Sequence, residues 1–178
     1  MLASGITDLF LTSVLSMGTS YKFKVEARNA FGFSLLFSNE VTILQAEEPT
    51  KPGVPTTTVV GDQYVIIDWI ASSDQGAALS SYTVLILTSD GVTYSEELNS
   101  CDGSDPTIIS DATCNVLVAD LLAAPFNLPY GSSIYAKVLA TNLYGDSLTS
   151  DVGNGAVILT VPDAPTDLAD DESQTNAN

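Results

Sequence analysis

Reactive chemistry needs reactive side chains, and this chain offers few. Cys101 and Cys114 are its only thiols, no histidine occurs, and 22 acidic residues stand against 5 basic ones. Without histidine, Ser–His and Cys–His nucleophilic pairs and histidine-ligated zinc are excluded. The cysteines are not spaced as Cys-x-x-Cys, and no basic residue lies near to lower a thiol pKa, so a redox centre is disfavoured. A disulfide and a pair of reduced core thiols both stay open to them. Asp102, Asp105 and Asp111 lie between the cysteines. Asp102-Gly103-Ser104-Asp105 holds a fragment of a calcium-loop pattern, but calcium needs a full set of oxygens at fixed spacing. The segment therefore reads as a solvated acidic loop. Glu96 and Glu97 are adjacent, and neighbours on a strand face opposite ways, so they make no acid–base pair. No Gly-rich phosphate loop is present. These residue types point away from an enzyme, and no cofactor or metal is expected.

The charge balance excludes further classes. The bases are Lys22, Lys24, Arg28, Lys51 and Lys137, and the net charge is -17. Phosphate contact needs clustered Lys and Arg, so nucleic-acid binding is not expected. Attraction to anionic lipid is disfavoured for the same reason. No apolar run reaches the length of a membrane span, so no direct membrane insertion is expected in this segment. Leu9 to Met17 follows Asp8 and lacks a positive flank, so it reads as strand and turn rather than as a targeting signal. Hydrophobic residues make up 45% of the 178, ample for a packed core.

The elements that would position any site are set by a repeat. Gly18 to Ser34, GTSYKFKVEARNAFGFS, recurs as Gly131 to Ser147, GSSIYAKVLATNLYGDS, with one offset of 113 residues. Gly18, Val25, Ala27, Asn29, Gly32 and Ser34 match Gly131, Val138, Ala140, Asn142, Gly145 and Ser147. Self-similarity at a fixed period signals an array of modules. Each copy alternates: Tyr21, Phe23, Val25 and Ala27 fall on one face, and Lys22, Lys24, Glu26 and Arg28 on the other. That is a half-buried strand with a wet side. Asn, an aromatic and Gly then close it in a turn. The Pro-rich stretches Glu47 to Pro55 and Val161 to Leu168 read as junctions, because proline cannot donate to a ladder. Here Pro52 is matched with Pro162 and Pro55 with Pro165, both 110 apart.

The pattern Val-x-Ala-x-Asn-x-x-Gly-x-Ser after a Gly resembles strand F and the F–G turn of a fibronectin type III domain. That resemblance implies an all-β, immunoglobulin-like antiparallel sandwich of seven strands. The segments that would supply the strands are Thr56 to Val60 (A), Gln63 to Ile70 (B), Leu79 to Thr88 (C), Val92 to Leu98 (C′), Cys114 to Asp120 (E), Ser132 to Asn142 (F) and Val152 to Val161 (G). Residues 1–46 would be the C-terminal half of a module (strands E to G), with a strand near Leu9 to Thr12. Residues 47–54 would be a linker, 55–161 a complete module, and 162–178 a linker and the start of a further module. On this reading Met1 is not a native start but belongs to the tail of an upstream module.

The resemblance also assigns roles. Trp69, Tyr82, Val138 and Ala140 are expected in the core of the complete module, and Tyr21 and Val25 on the core face of the first copy. The family places a Tyr at the start of F; Tyr21 occupies that position, whereas Ile134 does in the second copy. In a module of surface-protein type, Cys101 and Cys114 are expected to form a disulfide, with Cα atoms about 4.4–6.8 Å apart. If Tyr82, Val84 and Ile86 point inward, Leu85, Leu87, Tyr135 and Leu139 point outward as a possible contact face, unless C′ or the apolar segment Leu121 to Tyr130 covers it. The family implies a non-catalytic spacer, adhesion or receptor module of a larger surface or secreted protein. A protein partner and neighbouring modules of the same chain are its expected contacts. The alternatives are an intracellular scaffold or filament-associated array, and an accessory carbohydrate-binding module with Tyr64, Tyr94 and Tyr135 aligned on one face.

Overall fold

The computed structural model describes residues 14–160, 162 and 164–166. The strand expected near Leu9 to Thr12 lies outside them. The first copy contributes β1 (Thr19–Phe23), β2 (Arg28–Asn29), β3 (Gly32–Phe33) and β4 (Val41–Gln45). The second part continues with β5 (Thr56–Val60), β6 (Tyr64–Asp68), β7 (Leu79–Leu87) and β8 (Tyr94–Glu96). Helix α1 (Pro106–Asp111), β9 (Thr113–Leu117) and helix α2 (Val118–Leu122) follow. The order ends with β10 (Ser133–Ile134), β11 (Ala136–Asn142), β12 (Gly145–Asp146) and β13 (Ala156–Val157).

Two antiparallel sheets face each other across one core. One has the order β5-β6-β9, the other β12-β11-β7-β8. In family letters these are A-B-E and G-F-C-C′. Alternation along β6, β7 and β11 decides what lies between them: Val65, Ile67, Tyr82, Val84, Ile86, Ala136, Val138 and Ala140 are all buried. Trp69 continues the ladder just past β6, its amide donating to the Ala112 carbonyl at 3.0 Å. Its indole is buried and meets the Tyr82 ring edge-on, centroids 5.1 Å apart.

Several expected strands are shorter than the alternation suggested. E stops at Leu117, where the chain turns into α2. Val116 and Val118 keep strand-like spacing, but Val118 and Leu121 are spaced for a helix and are both buried. The connection from C′ to E, read as a plain loop, contains α1. Asp105 caps it by accepting from the Thr107 amide at 2.7 Å, and Pro106 opens it. F divides at Tyr135: β10 pairs with β13, while β11 pairs with β7. G, expected over Val152 to Val161, is strand there only at β13; it begins earlier, at β12, in what was read as a turn, and serine hydroxyls take backbone places in between. The Ala140 amide donates to Ser147 Oγ and the Val138 amide to Ser150 Oγ, each at 2.9 Å.

The first copy repeats that device. The Ala27 amide donates to Ser34 Oγ and the Val25 amide to Ser38 Oγ. Strand pairing also fixes the period. The Gly18 amide donates to the Gln45 carbonyl and the Gly131 amide to the Ile158 carbonyl, both at 2.8 Å, so 45 and 158 are equivalent and the offset returns to 113 after a one-residue slip at Ser38 and Ser150. Carried forward, it matches Pro49 with Pro162 and Pro52 with Pro165. The 110-residue pairing of Pro52 with Pro162 and Pro55 with Pro165 is thereby corrected. Prolines recur every third residue at 49, 52 and 55, so matching by composition slipped one step of three.

Candidate functional site

The cysteines meet. Cys101 and Cys114 are disulfide-bonded, Cα atoms 5.2 Å apart, and both are buried in the core cluster. The acidic residues around them each have a local task. Asp102 accepts from the Ser104 amide and hydroxyl, which holds its carboxyl below the usual range. Asp105 caps α1, and Asp111 accepts from the Ser110 hydroxyl at 2.7 Å. Gly103 is there for clearance: its carbonyl accepts from the Tyr82 amide, and a Cβ would lie 1.7 Å from the Tyr82 oxygen. Glu97 is buried with its carboxylate satisfied by the Asn99 and Ser100 amides and the Ser100 hydroxyl. Among the described residues no group of three or more His, Cys, Asp or Glu converges.

Tyr21, at the start of F in the first copy, makes the corner bond: its hydroxyl accepts from the Ser16 amide at 2.8 Å. In the second copy Ile134 is fully buried instead, and Tyr135 lies against Gly155, where a Cβ would meet its ring. Val25 is 70% exposed, whereas its match Val138 is 0% exposed. Leu85, Leu87, Tyr135 and Leu139 are half-buried and face away from the core. Opposite Leu87 in the ladder is Tyr94, and Lys137 places its Nζ 4.4 Å from the Tyr94 ring centre. Tyr64 sits on β6 in the other sheet, so Tyr64, Tyr94 and Tyr135 do not line one face, as a sugar platform would require.

The prolines marked the junction in the sequence, but not how it is held. The linker runs beside the segment between β6 and β7 as a short ladder. The Glu47 amide donates to the Gln75 carbonyl, Thr50 to Ser73 and Gly53 to Ile70, at 3.0–3.1 Å. Pro49, Pro52 and Pro55 are buried along it. Asn142, at the F–G turn, holds the arrangement. It is 5% exposed, and its Nδ2 donates to the carbonyls of Glu47 at 2.8 Å, Asp74 at 3.0 Å and Ala77 at 3.4 Å. Its Oδ1 accepts from the Tyr144 amide, and the Tyr144 hydroxyl donates to the Leu44 carbonyl at 3.1 Å. Gly76 approaches Gly18 so closely that a Cβ would lie 2.3 Å from the Gly18 nitrogen. A cleft of about 750 Å³ opens between the linker and the turn, lined by Glu48, Lys51, Gln75, Tyr144 and Leu148 among others. The one signal for these contacts in the sequence was the Asn shared by both copies.

The sheet orders A-B-E and G-F-C-C′, with Trp69 between them, decide the architecture. The chain has the fibronectin type III fold. Domains A168–A170 from titin are similar to it, with TM-score 0.52 and 18% identity, over 82% of this chain and 43% of theirs. The chain therefore spans less than half the length of that titin segment. The FN1–FN3 domains of chicken CNTN1 align with TM-score 0.47 and 18% identity over 67% of this chain and 36% of theirs. No family model matches the sequence.

Proposed function

We propose that the chain is a non-catalytic segment of a tandem fibronectin type III array in a larger surface or secreted protein, acting as a spacer and protein-contact module. The observation that carries this is the junction. The stretch Gly18 to Ser34 recurs as Gly131 to Ser147, and the linker between the two is hydrogen-bonded to the second part along its length. On this reading residues 1–46 are the closing half of one module, 47–54 the linker, 55–161 a complete module, and 162–178 the opening of the next. The residues that looked chemical around the two cysteines are engaged structurally, as the Cys101–Cys114 bridge and the bonded carboxylates of Glu97, Asp102 and Asp105 illustrate. The outward face of Leu85, Leu87, Tyr135 and Leu139 is the place for a protein partner. The half-burial of these apolar side chains limits its area.

The disulfide supports an extracellular or cell-surface location, because such bonds persist in oxidising compartments. The competing reading is an intracellular scaffold with the same fold. Differential alkylation of the protein taken from its native source, followed by mass spectrometry, separates the two. A bridged Cys101–Cys114 peptide is expected, and two free thiols would overturn the location. The carbohydrate-binding alternative is disfavoured by the division of its aromatic residues between the two sheets.

A further inference from the structure

The two F–G turns are built alike but differ in what lies against them. Asn29 Oδ1 accepts from the Phe31 amide at 2.8 Å, as Asn142 Oδ1 does from Tyr144 at 2.8 Å. The serine-to-backbone bonds correspond pair by pair. Yet Asn142 is buried with its amide on three carbonyls, one of them from the linker. Asn29 is exposed, and its amide has no acceptor among the described residues. The same turn thus forms with or without a segment lying on it, so it is organised in advance.

We propose that this Asn-x-aromatic-Gly turn is a seat for an extended acidic segment. In the second copy it is occupied by the junction, whose Glu47 carbonyl is gripped by Asn142. In the first copy it is offered to a segment of the same chemistry. Two observations select that occupant. The occupant of the second copy is the Pro-rich junction, whose Glu47 carbonyl accepts from the Asn amide and whose prolines remove donors and keep it extended. And charge favours an acidic one. Arg28, adjoining Asn29, lies 5.0 Å from the Phe33 ring centre, with no carboxylate partner among the described residues. Its match in the occupied copy, Thr141, is bonded to Asp146 at 2.6 Å. Phe31 is 100% exposed beside a cleft of about 300 Å³. The junction that fills the second seat carries Glu47 and Glu48. The source of the segment, an upstream module, rests on the array reading; the chemistry of the seat does not.

The experiment uses the isotopically labelled 178-residue chain and has two arms. In the first, Asn142→Asp removes the donating amide. Hydrogen exchange at Glu47 and Thr50 is expected to rise about tenfold or more, while Val65 and Val138 keep their protection. Tyr144→Phe, which loses only the bond to Leu44, should give a smaller rise at the same sites. Unchanged exchange at Glu47 in both variants overturns the seat. In the second arm, a synthetic peptide of the Leu44 to Pro52 sequence is titrated to millimolar concentration. Shifts are expected at the Phe31 amide and the Asn29 side chain, and both Arg28→Gln and Glu47/Glu48→Gln in the peptide should weaken them about threefold or more. No shift there, or shifts indifferent to Arg28, overturns the proposal for the first copy. A gene lacking further modules would refute the array reading and leave the peptide result standing.

Discussion

At the scale of single residues, burial separates the side chains that matter for folding from those that only look chemical. Trp69 packs edge-on to Tyr82 inside the core cluster, so Trp69→Ala leaves a cavity and is expected to cost about 3–5 kcal/mol in chemical denaturation. A loss below about 1 kcal/mol would mean that the indole contributes little packing. The disulfide acts on the unfolded chain. It closes a loop of sequence separation 13, so the Cys101→Ser/Cys114→Ser variant should lose about 3 kcal/mol in the same assay. Equal stability of the bridged protein and the double variant would remove that role. The acidic residues between the cysteines show why residue type alone misleads. Asp102-Gly103-Ser104-Asp105 looked like part of an ion loop. Its parts are an Asx turn, a clearance glycine beside Tyr82 and a helix cap.

At the scale of elements, the strands whose side chains alternate between core and solvent were legible. The segments that pair through side chains were not. A was placed on its observed bounds, and B and C within two residues of theirs, because Val65, Ile67, Tyr82, Val84 and Ile86 repeat with period two toward one core. G was placed over Val152 to Val161, where only Ala156–Val157 is strand; its earlier part, from β12 through Ser147 and Ser150, was missed because hydroxyls replace strand backbone there and no hydrophobic period marks it. Helix α1 was missed although Asp105-Pro106 is a start signal, because the loop was judged by its charge. The turn between β7 and β8 yields a pH prediction. Asp90 accepts from the Thr93 hydroxyl, the Thr93 and Val92 amides and the Thr88 hydroxyl, which together hold its carboxyl well below the ordinary range. A depressed folded pKa means the stabilisation is present above the unfolded carboxylate pKa of about 3.9 and is lost as pH falls further. Comparing Tm for the natural chain and Asp90→Asn from pH 6 downward, the gap should hold to about pH 4 and then narrow. A gap independent of pH would sink the assignment.

At the scale of the whole molecule, two copies with the same turn chemistry have unequal cores. In the second, β11 is covered by the sheet β5-β6-β9, and Ala136, Val138 and Ala140 are fully buried. In the first, β1 pairs with β4 alone, as a two-stranded sheet. Its core-side residues are open by comparison: Val25 is 70% exposed, Val41 55% and Ile43 53%. Each such side chain forgoes part of the roughly 1.5–3 kcal/mol that full burial supplies. Two strands without a covering layer are marginal on their own. The asymmetry was not legible in the alternation, which both copies share; the linker was marked by its prolines, but the bonds that hold it to the second copy left no pattern. The close approach of Gly76 to Gly18 and the bond from Tyr144 to Leu44 anchor one end of the first copy to the second. Protection should therefore fall along the first copy with distance from that anchor. Hydrogen exchange on the monomeric chain should find Ser20 to Phe23 intermediate, Val25 to Asn29 fast, and Ala136 to Asn142 slow. Equal protection in Val25 to Asn29 and Val138 to Asn142, with the chain verified as a monomer, would show that the first copy's open face has a cover, and would end the argument that it needs a partner half.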